Sequence, residues 1–384
     1  MYISVISVIL VLSILAGQLI KFPLFGIQGP TLLDFSAFLI CLFGIYKLKF
    51  KLKKPDSIII YGLFFILIAL LSLIFTPLHL TFSEFMISFS YTLRFLIYLL
   101  FFWIIYSGVF KEFKKNIRFT LLFSGIGLSI LGLLQFVLFP NLQSLQNQGW
   151  DPHYFRTVST FLDPNFAGAY FVLTLLLLIQ NFAIAKKWNL FIFTIVYIAL
   201  LTTFSRSSYI MFLISGIILS ILRKSRKLFI STIILFAILM LGFYLYTLLV
   251  AKPRGIDREQ SASYRLGTWE NGLAIFQKSP ILGVGFNAYK YALDKYHLSD
   301  SQFLQSRGAT TNDSSLLYVL STTGIVGFLI YSLFLFSIIK QGLINNKFLV
   351  AAIFGLIIHS FFANSLFYPF ILIWILLKAS DITD

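Results

Sequence analysis

Residues 57–75 of this chain of 384 residues read SIIIYGLFFILIALLSLIF, a run of 19 residues without a charged side chain. A helix that crosses the hydrocarbon core of a bilayer needs roughly 20 predominantly apolar residues. The run therefore predicts a membrane-spanning helix. Similar runs precede and follow it, so the chain is organised as apolar spans joined by loops.

The same criterion, applied along the whole chain, predicts an all-α polytopic membrane protein with about twelve transmembrane helices. Its residues are 59% hydrophobic and 11% charged, whereas soluble domains carry about a quarter charged residues. We expect residues 1–384 to form a single transmembrane domain. The predicted spans are 2–20, 31–47, 57–75, 88–109, 116–139, 166–184, 188–204, 208–222, 228–250, 315–339, 347–362 and 367–379.

The basic residues indicate topology rather than nucleic-acid binding. The net charge of +16 is divided among short Lys and Arg clusters between the spans, not gathered on one soluble face. With twelve spans, every large cluster falls on the same side of the membrane. Cytoplasmic loops are enriched in Lys and Arg, so we expect both termini in the cytoplasm. The clusters lie at 47–54, 111–118, 186–187, 223–227 and 340–347.

Two segments on the opposite, outer side are too long to be simple turns: residues 140–165 and 251–313. Long loops in compact proteins are usually functional or disordered. Apolar residues recur at helical spacing in 265–276 and again in 287–296, which predicts amphipathic helices lying against the membrane face or capping a cavity. We therefore expect the chemistry of the protein on its outer side.

Arginines on that side are candidate ligands for phosphate. Arg206 lies in the connection 202–208, and the short span predicted after it suggests a recessed position, where an Arg is costly unless it faces water or an anion. Arg254, Arg258 and Arg265 lie in the second outer segment, and guanidinium groups bind phosphate oxygens two at a time. The alternatives are snorkelling to headgroups for Arg206 and a solvated surface charge for Arg254 and Arg258.

Asp313 is the candidate general base. It lies in TTNDSSLLY, residues 310–318, where the second outer segment enters a span. Asp, Asn and Ser at this point also suit a helix N-cap, and capping by Asn312 would leave Asp313 available for proton transfer.

Few other residues suggest chemistry. Asp34 and Arg94 lie inside spans and are expected to pair, because unpaired intramembrane charges are rare. Charged residues inside the predicted spans are scarce, and this scarcity argues against a transporter. The GVGFNA sequence at 283–288 resembles a dinucleotide-binding pattern, but it follows no predicted strand. The single cysteine, Cys41, and four scattered histidines give no metal signature, so we expect neither a metal nor a cofactor.

Four segments in order resemble the O-antigen ligase and polymerase superfamily. They are FLDPNFAG at 161–168, TFSRS at 203–207, RLGTW through SPILGVG at 265–285, and DSSLLY through TGIVG at 313–327. The resemblance covers roughly residues 155–330. It implies a bacterial cytoplasmic membrane protein and an inverting, metal-independent glycosyltransferase of the GT-C type, acting on undecaprenyl pyrophosphate-linked glycans at the outer face.

By that resemblance, Arg206 and Arg265 would hold the pyrophosphate and stabilise the charge that develops on it, while Asp313 would activate the acceptor hydroxyl. Further candidate substrate-binding residues are Arg254, Arg258, Asn165, Tyr318 and Arg94. Ligases of the family carry a His eleven residues before the glycine that is Gly324 here, and this chain has Asp313 there, as polymerases tend to. This difference favours a polymerase, with a chain-length regulator as a possible partner.

Two alternatives stay open. One is a ligase that transfers the glycan to lipid A-core or to a protein Ser. The other, from a different class, is a solute transporter or lipid-glycan flippase, which would need access to both membrane faces.

Overall fold

The computed structural model describes residues 4–24, 27–49, 51–181, 186–255 and 260–381. In these ranges every predicted span coincides with a helix, and most boundaries agree within a few residues. The helices are α1 (Val5–Ala16), α2 (Leu32–Leu48), α3 (Ser57–Ile74), α4 (Phe82–Tyr106), α5 (Lys111–Leu138), α6 (Pro164–Asn181), α7 (Lys186–Thr202), α8 (Arg206–Arg223), α9 (Arg226–Tyr246), α13 (Ser315–Asn345), α14 (Lys347–His359) and α15 (Pro369–Ser380).

Six of these helices are long and apolar enough to cross a membrane: α3, α4, α5, α8, α9 and α13. Five shorter apolar helices are α1, α6, α7, α14 and α15. The described part of the chain is thus that of a helical membrane protein. The count of twelve spans and the orientation in the membrane stay predictions.

Hydrogen bonds join connections that lie far apart in sequence. The N–H of Gln18 donates to the carbonyl of Thr160 at 2.8 Å and Lys295 donates to the carbonyl of Pro77 at 2.6 Å. Trp103 donates to the carbonyl of Lys53 at 2.9 Å. Each of these bonds joins two loops that are predicted to lie on the same side of the membrane.

Helix α15 lies at the centre of the bundle. Every residue from Pro369 to Ser380 is buried, as expected for a helix that is apolar all round. Its one charged residue, Lys378, is 1% exposed and forms an ion pair with Asp381 at 2.5 Å. In contrast, α9 is mostly exposed and lies at the periphery.

A short antiparallel hairpin departs from the all-α prediction. Strands β1 (Lys21–Leu24) and β2 (Ile27–Thr31) pair between α1 and α2, with Lys21 opposite Thr31. The segment is too short and irregular for a periodic pattern to be recognised in the sequence. It places Lys21 beside the beginning of α2.

The second outer segment contains α10 (Gln260–Lys278), α11 (Tyr289–Lys295), α12 (Ser301–Gln305) and a 3-10 helix at Arg307–Thr310. The first two coincide with the helices expected at 265–276 and 287–296, and α12 was not predicted. Residues of this segment also contact α3 and α4. The N–H of Phe286 donates to Ser72 Oγ at 3.0 Å, and Ser88 donates to the carbonyl of Asn287 at 3.3 Å.

Helix α13 is interrupted at Gly324, where φ is 64° and ψ is −169°. The N–H groups of Val284 and Gly285 donate to the carbonyls of Ser321 and Thr322, at 3.1 and 3.0 Å. In return, Ile325 N–H donates to the carbonyl of Pro280 at 2.9 Å. The loop 280–285 therefore pairs with the backbone groups that lose their helical partners at the interruption. The GVGFNA sequence at 283–288 begins in this loop, so it has a structural role.

We predict that Gly324→Ala destabilises the protein. A Cβ there would overlap the carbonyl of Ile281, and the backbone conformation disfavours a side chain. The expected result is a thermal unfolding midpoint several degrees lower in detergent. Gly267→Ala is the matched control, because a Cβ at Gly267 meets no atom within 4 Å. Equal unfolding midpoints for the two variants would contradict the pairing of loop 280–285 with the interruption of α13.

Labelling of single cysteines tests the orientation. In a Cys41→Ser background, a cysteine at Lys278 is expected to react with a membrane-impermeant maleimide applied to intact cells. A cysteine at Lys51 is expected to react only after permeabilisation. Both positions are exposed in the structure, so the reverse pattern would show that the predicted sidedness is wrong.

Candidate functional site

The first part of the candidate site is a polar contact between the start of α6 and the start of α8. Asp163 Oδ1 accepts hydrogen bonds from the N–H groups of Asn165 at 2.6 Å and Phe166 at 3.2 Å. The side chain of Ser205, the N-cap of α8, donates to Asn165 Oδ1 at 2.8 Å. The motifs FLDPNFAG and TFSRS, separate in sequence, therefore form one structural unit.

Gly168 permits this contact, because a Cβ there would overlap the side chain of Ser208. Arg156 completes it from the first outer segment. Its Nε and Nη2 donate to the carbonyls of Thr203 at 2.8 Å and Phe204 at 3.3 Å. Arg156 thus satisfies carbonyl groups left at the end of α7 and is a structural residue.

Arg206 is the first residue of α8, not part of the turn before it. The observed helix has 18 residues, three more than the predicted span 208–222. Its length is about 27 Å at 1.5 Å per residue. The helix length on which the expectation of a recessed turn rested was therefore too short, and the depth of the turn stays a prediction. The guanidinium of Arg206 is half-buried and lies 5.6 Å from the ring centroid of Phe243.

Arg265, on α10, lies in the same electrostatic neighbourhood. Its charge acts on Arg206, on Asp313 and on Asp151. One turn further along α10, Thr268 Oγ1 donates to Asp313 Oδ2 at 3.3 Å. Arg265 therefore lies within electrostatic reach of both Arg206 and Asp313, the other two residues expected to be catalytic.

Asp313 is not a helix cap, and neither is Asn312. The N-cap of α13 is Ser314, whose side chain accepts from the N–H of Leu317 at 3.3 Å. Asn312 instead receives the N–H of Ser314 at 2.8 Å, and its amide donates to Tyr289 Oη at 2.9 Å and to the carbonyl of Thr268. The expectation that Asn312 caps the helix was wrong, and the capping role falls to Ser314.

Other candidate substrate-binding residues have structural contacts. Arg94 pairs with Asp34, as expected, with Nε 2.9 Å from Oδ1. Tyr318 is buried, and its hydroxyl donates to Asn287 Oδ1 at 2.9 Å. Arg254 is exposed and packs over the rings of Tyr154 at 4.8 Å and Phe155 at 5.8 Å. Arg258 lies outside the described residues.

Two carboxylates of the first outer segment were not anticipated as members of the site. Asp151 and Asp163 both act electrostatically on Asp313. Burial, reinforced by the Asp151 carboxylate, raises the pKa of the Asp163 carboxyl, although the N–H groups of Asn165 and Phe166 oppose the shift. The only signal in the sequence is the position of these residues in or near FLDPNFAG.

Residues 359–361 at the end of α14 contact all three segments of the candidate site. His359 Nε2 lies 3.3 Å from Ser207 Oγ and 3.4 Å from Ser208 Oγ. The carbonyl of Ser360 accepts from the N–H of Ser315 at 2.8 Å, and that of Phe361 accepts from the indole of Trp269 at 3.0 Å. A lone His in an apolar run gave no hint of this role.

Part of the candidate site lies in a segment that matches a known family. Residues 190–332 match the family model described as O-antigen ligase. The matched range includes Arg206, Arg265 and Asp313, whereas Asp163 and His359 lie outside it. No curated protein matches the chain. The match at residues 190–332 supports the resemblance of this part of the chain to the O-antigen ligase and polymerase superfamily.

Proposed function

We propose that the protein is a polysaccharide polymerase that transfers a glycan from undecaprenyl pyrophosphate to a lipid-linked repeat unit on the outer face of the cytoplasmic membrane. The observation that carries the proposal is the position of Arg265 on α10, where its charge acts on both Arg206 and Asp313 and where Thr268, one turn further on, donates to the Asp313 carboxylate. The match of residues 190–332 to the O-antigen ligase family model supports the broader role in ligation or polymerisation of bacterial polysaccharides.

In the proposed reaction, Asp313 removes the proton from an acceptor hydroxyl group. The oxygen attacks the anomeric carbon of the donor sugar from the face opposite the pyrophosphate, so the configuration inverts. The bond between that carbon and the pyrophosphate oxygen breaks, and the electron pair leaves with the pyrophosphate. Positively charged groups fixed in place before the reaction stabilise such developing charge.

Arg206 and Arg265 suit this second role. Two guanidinium groups held near each other repel, and an anion with several oxygens between them removes the repulsion and accepts hydrogen bonds from both. Thr268 orients Asp313 by its hydrogen bond of 3.3 Å. The proposed mechanism assigns no step to a metal ion, in keeping with the metal-independent GT-C type that the resemblance implies.

The presence of Asp313 favours a polymerase over a ligase. At this place the ligases of the family carry a His, as the resemblance implies, and the structure leaves the Asp313 carboxylate outside the cap of α13. A carboxylate that receives one hydrogen bond from Thr268 retains lone pairs for an acceptor hydroxyl.

Single replacements test the three assignments. Arg206→Ala, Arg265→Ala and Asp313→Asn are each expected to lower the rate of polymer formation by about 100-fold or more, the usual cost of removing one such group. The measurement is the conversion of lipid-linked repeat units by purified protein in vesicles. Lys278→Gln, which removes an exposed charge from the far end of α10, is the control and should retain the wild-type rate.

Retained polymer length and rate in all three variants would contradict the site assignment. Formation of product only when lipid A-core or a protein acceptor is supplied would instead identify a ligase. Normal membrane insertion of each variant, checked by fluorescence-detected chromatography, excludes misfolding as the cause of a loss.

A pair of variants tests whether His359 positions the site. His359→Leu is expected to lower kcat by about tenfold with little change in KM, because Ser207 and Ser208, directly after Arg206, lose a hydrogen-bond partner. His359→Gln should retain most of the rate, since its amide can replace Nε2. Ile353→Val, at a buried position of the same helix, controls for general loosening. An equal loss of kcat in His359→Leu and His359→Gln would show that His359 does not act through hydrogen bonding.

A further inference from the structure

Five of the chain's twelve glutamines are concentrated in two short helices of the outer segments. One is the 3-10 helix Gln143–Gln148 in the first outer segment, and the other is α12 in the second. The side chains of all five glutamines are exposed. We call these residues the amide surface: Gln143, Gln146, Gln148, Gln302 and Gln305.

Arg307 joins the two helices of the amide surface at their ends. It follows α12 by two residues, and its Nε and Nη2 donate to the carbonyl of Gln148 at 3.1 and 2.9 Å. Its guanidinium carbon also lies 3.7 Å from the ring centroid of Trp150. These contacts hold the first outer segment against the second, so glutamines that are far apart in sequence belong to one surface.

Four of the glutamines are arranged in two pairs. Gln143 and Gln146 are three residues apart on a 3-10 helix, where side chains at this spacing lie above one another. Gln302 and Gln305 have the same spacing on α12, where residues three apart are neighbours. Phe303, between them, packs against the core, whereas both glutamines face outward. Each helix therefore presents a row of two carboxamides.

The carboxamides of the amide surface retain their capacity for hydrogen bonding. Within the described ranges of the chain, none of the five side chains bonds to another residue. A carboxamide carries two N–H donors and an acceptor oxygen, and a hydroxyl group can pair with either. Residues 141–150 and 301–306 contain no charged side chain, although about a quarter of the residues in soluble domains are charged. The surface therefore suits a neutral ligand rich in hydroxyl groups.

The amide surface adjoins the proposed catalytic site. Asp151, the residue after Trp150, acts electrostatically on Asp313. On the other side of the junction, Arg307 precedes Asp313 by six residues in the same segment. A glycan that places one hydroxyl at Asp313 would therefore have its neighbouring sugars within reach of the amide surface.

We propose that the amide surface binds the sugar residues of the glycan substrate beside the group that reacts. The inference rests on the proposed function, since it identifies how that substrate is held beyond the catalytic residues. Hydrogen bonds from several carboxamides would keep a glycan chain aligned, although each bond contributes little by itself. The five glutamines are thus positioning residues that act on the substrate chain.

Binding of a free oligosaccharide tests the inference without requiring turnover. The probe is released by partial hydrolysis from the polysaccharide of the source cell, carries no lipid or pyrophosphate, and is titrated calorimetrically against the full chain in nanodiscs. We expect Gln143→Ala with Gln146→Ala to raise the Kd about tenfold, as expected for the loss of two hydrogen bonds. Gln302→Ala with Gln305→Ala should have the same effect. Gln277→Ala removes an exposed amide from α10 and, as the control, should leave the Kd unchanged.

An unchanged Kd in both double variants would overturn the inference, and so would an equal rise in the Gln277→Ala control. Equal thermal unfolding midpoints of the variants and the wild type exclude misfolding as the cause of a loss. A Kd that rises about tenfold between roughly 0.05 and 0.5 M salt would also overturn the inference, because salt screens charges and not amide hydrogen bonds. If the wild type binds the oligosaccharide through these glutamines but forms no polymer, the proposed function is contradicted and the amide surface is supported.

Discussion

The backbone pairing between the loop 280–285 and the interruption of α13 holds the outer segment in a defined position. A helix broken at Gly324 exposes carbonyl and N–H groups that cannot be left unpaired in an apolar surrounding. The carbonyls of Ser321 and Thr322 and the N–H of Ile325 find their partners in that loop. These bonds join backbone atoms, so the two segments must approach closely. The glycines at 283 and 324 allow this approach.

This pairing helps to hold α10 against the first part of α13. Helix α10 enters the docked loop, and the first part of α13 leaves the interruption toward Asp313, so α10 and the Asp313 segment are held side by side. Asn312 then connects them by donating to Tyr289 Oη and to the carbonyl of Thr268. The contact between Thr268 and Asp313 is thus a consequence of packing several residues away.

The sequence predicted features that follow from the cost of transfer into lipid. Apolar run length located the helices, and the rarity of unpaired intramembrane charges predicted the Asp34 and Arg94 pair, which is confirmed. It did not predict β1 and β2, the beginning of α8 at Arg206 or the cap at Ser314. These features depend on which of several neighbouring polar residues makes the local hydrogen bonds. The role of His359 depends on long-range packing, which no local pattern encodes.

The different roles of the outer arginines illustrate the same limit. Arg156 and Arg307 donate to backbone carbonyls, and Arg94 faces a carboxylate. Arg206 and Arg265, in contrast, act on each other as like charges. Every arginine carries the same hydrogen-bond donors. The fold therefore determines which arginines bind carbonyl or carboxylate groups of the protein and which present their charge to a ligand. An anion that bridges Arg206 and Arg265 would convert their repulsion into binding energy, which supports a pyrophosphate-bearing substrate in the proposed reaction.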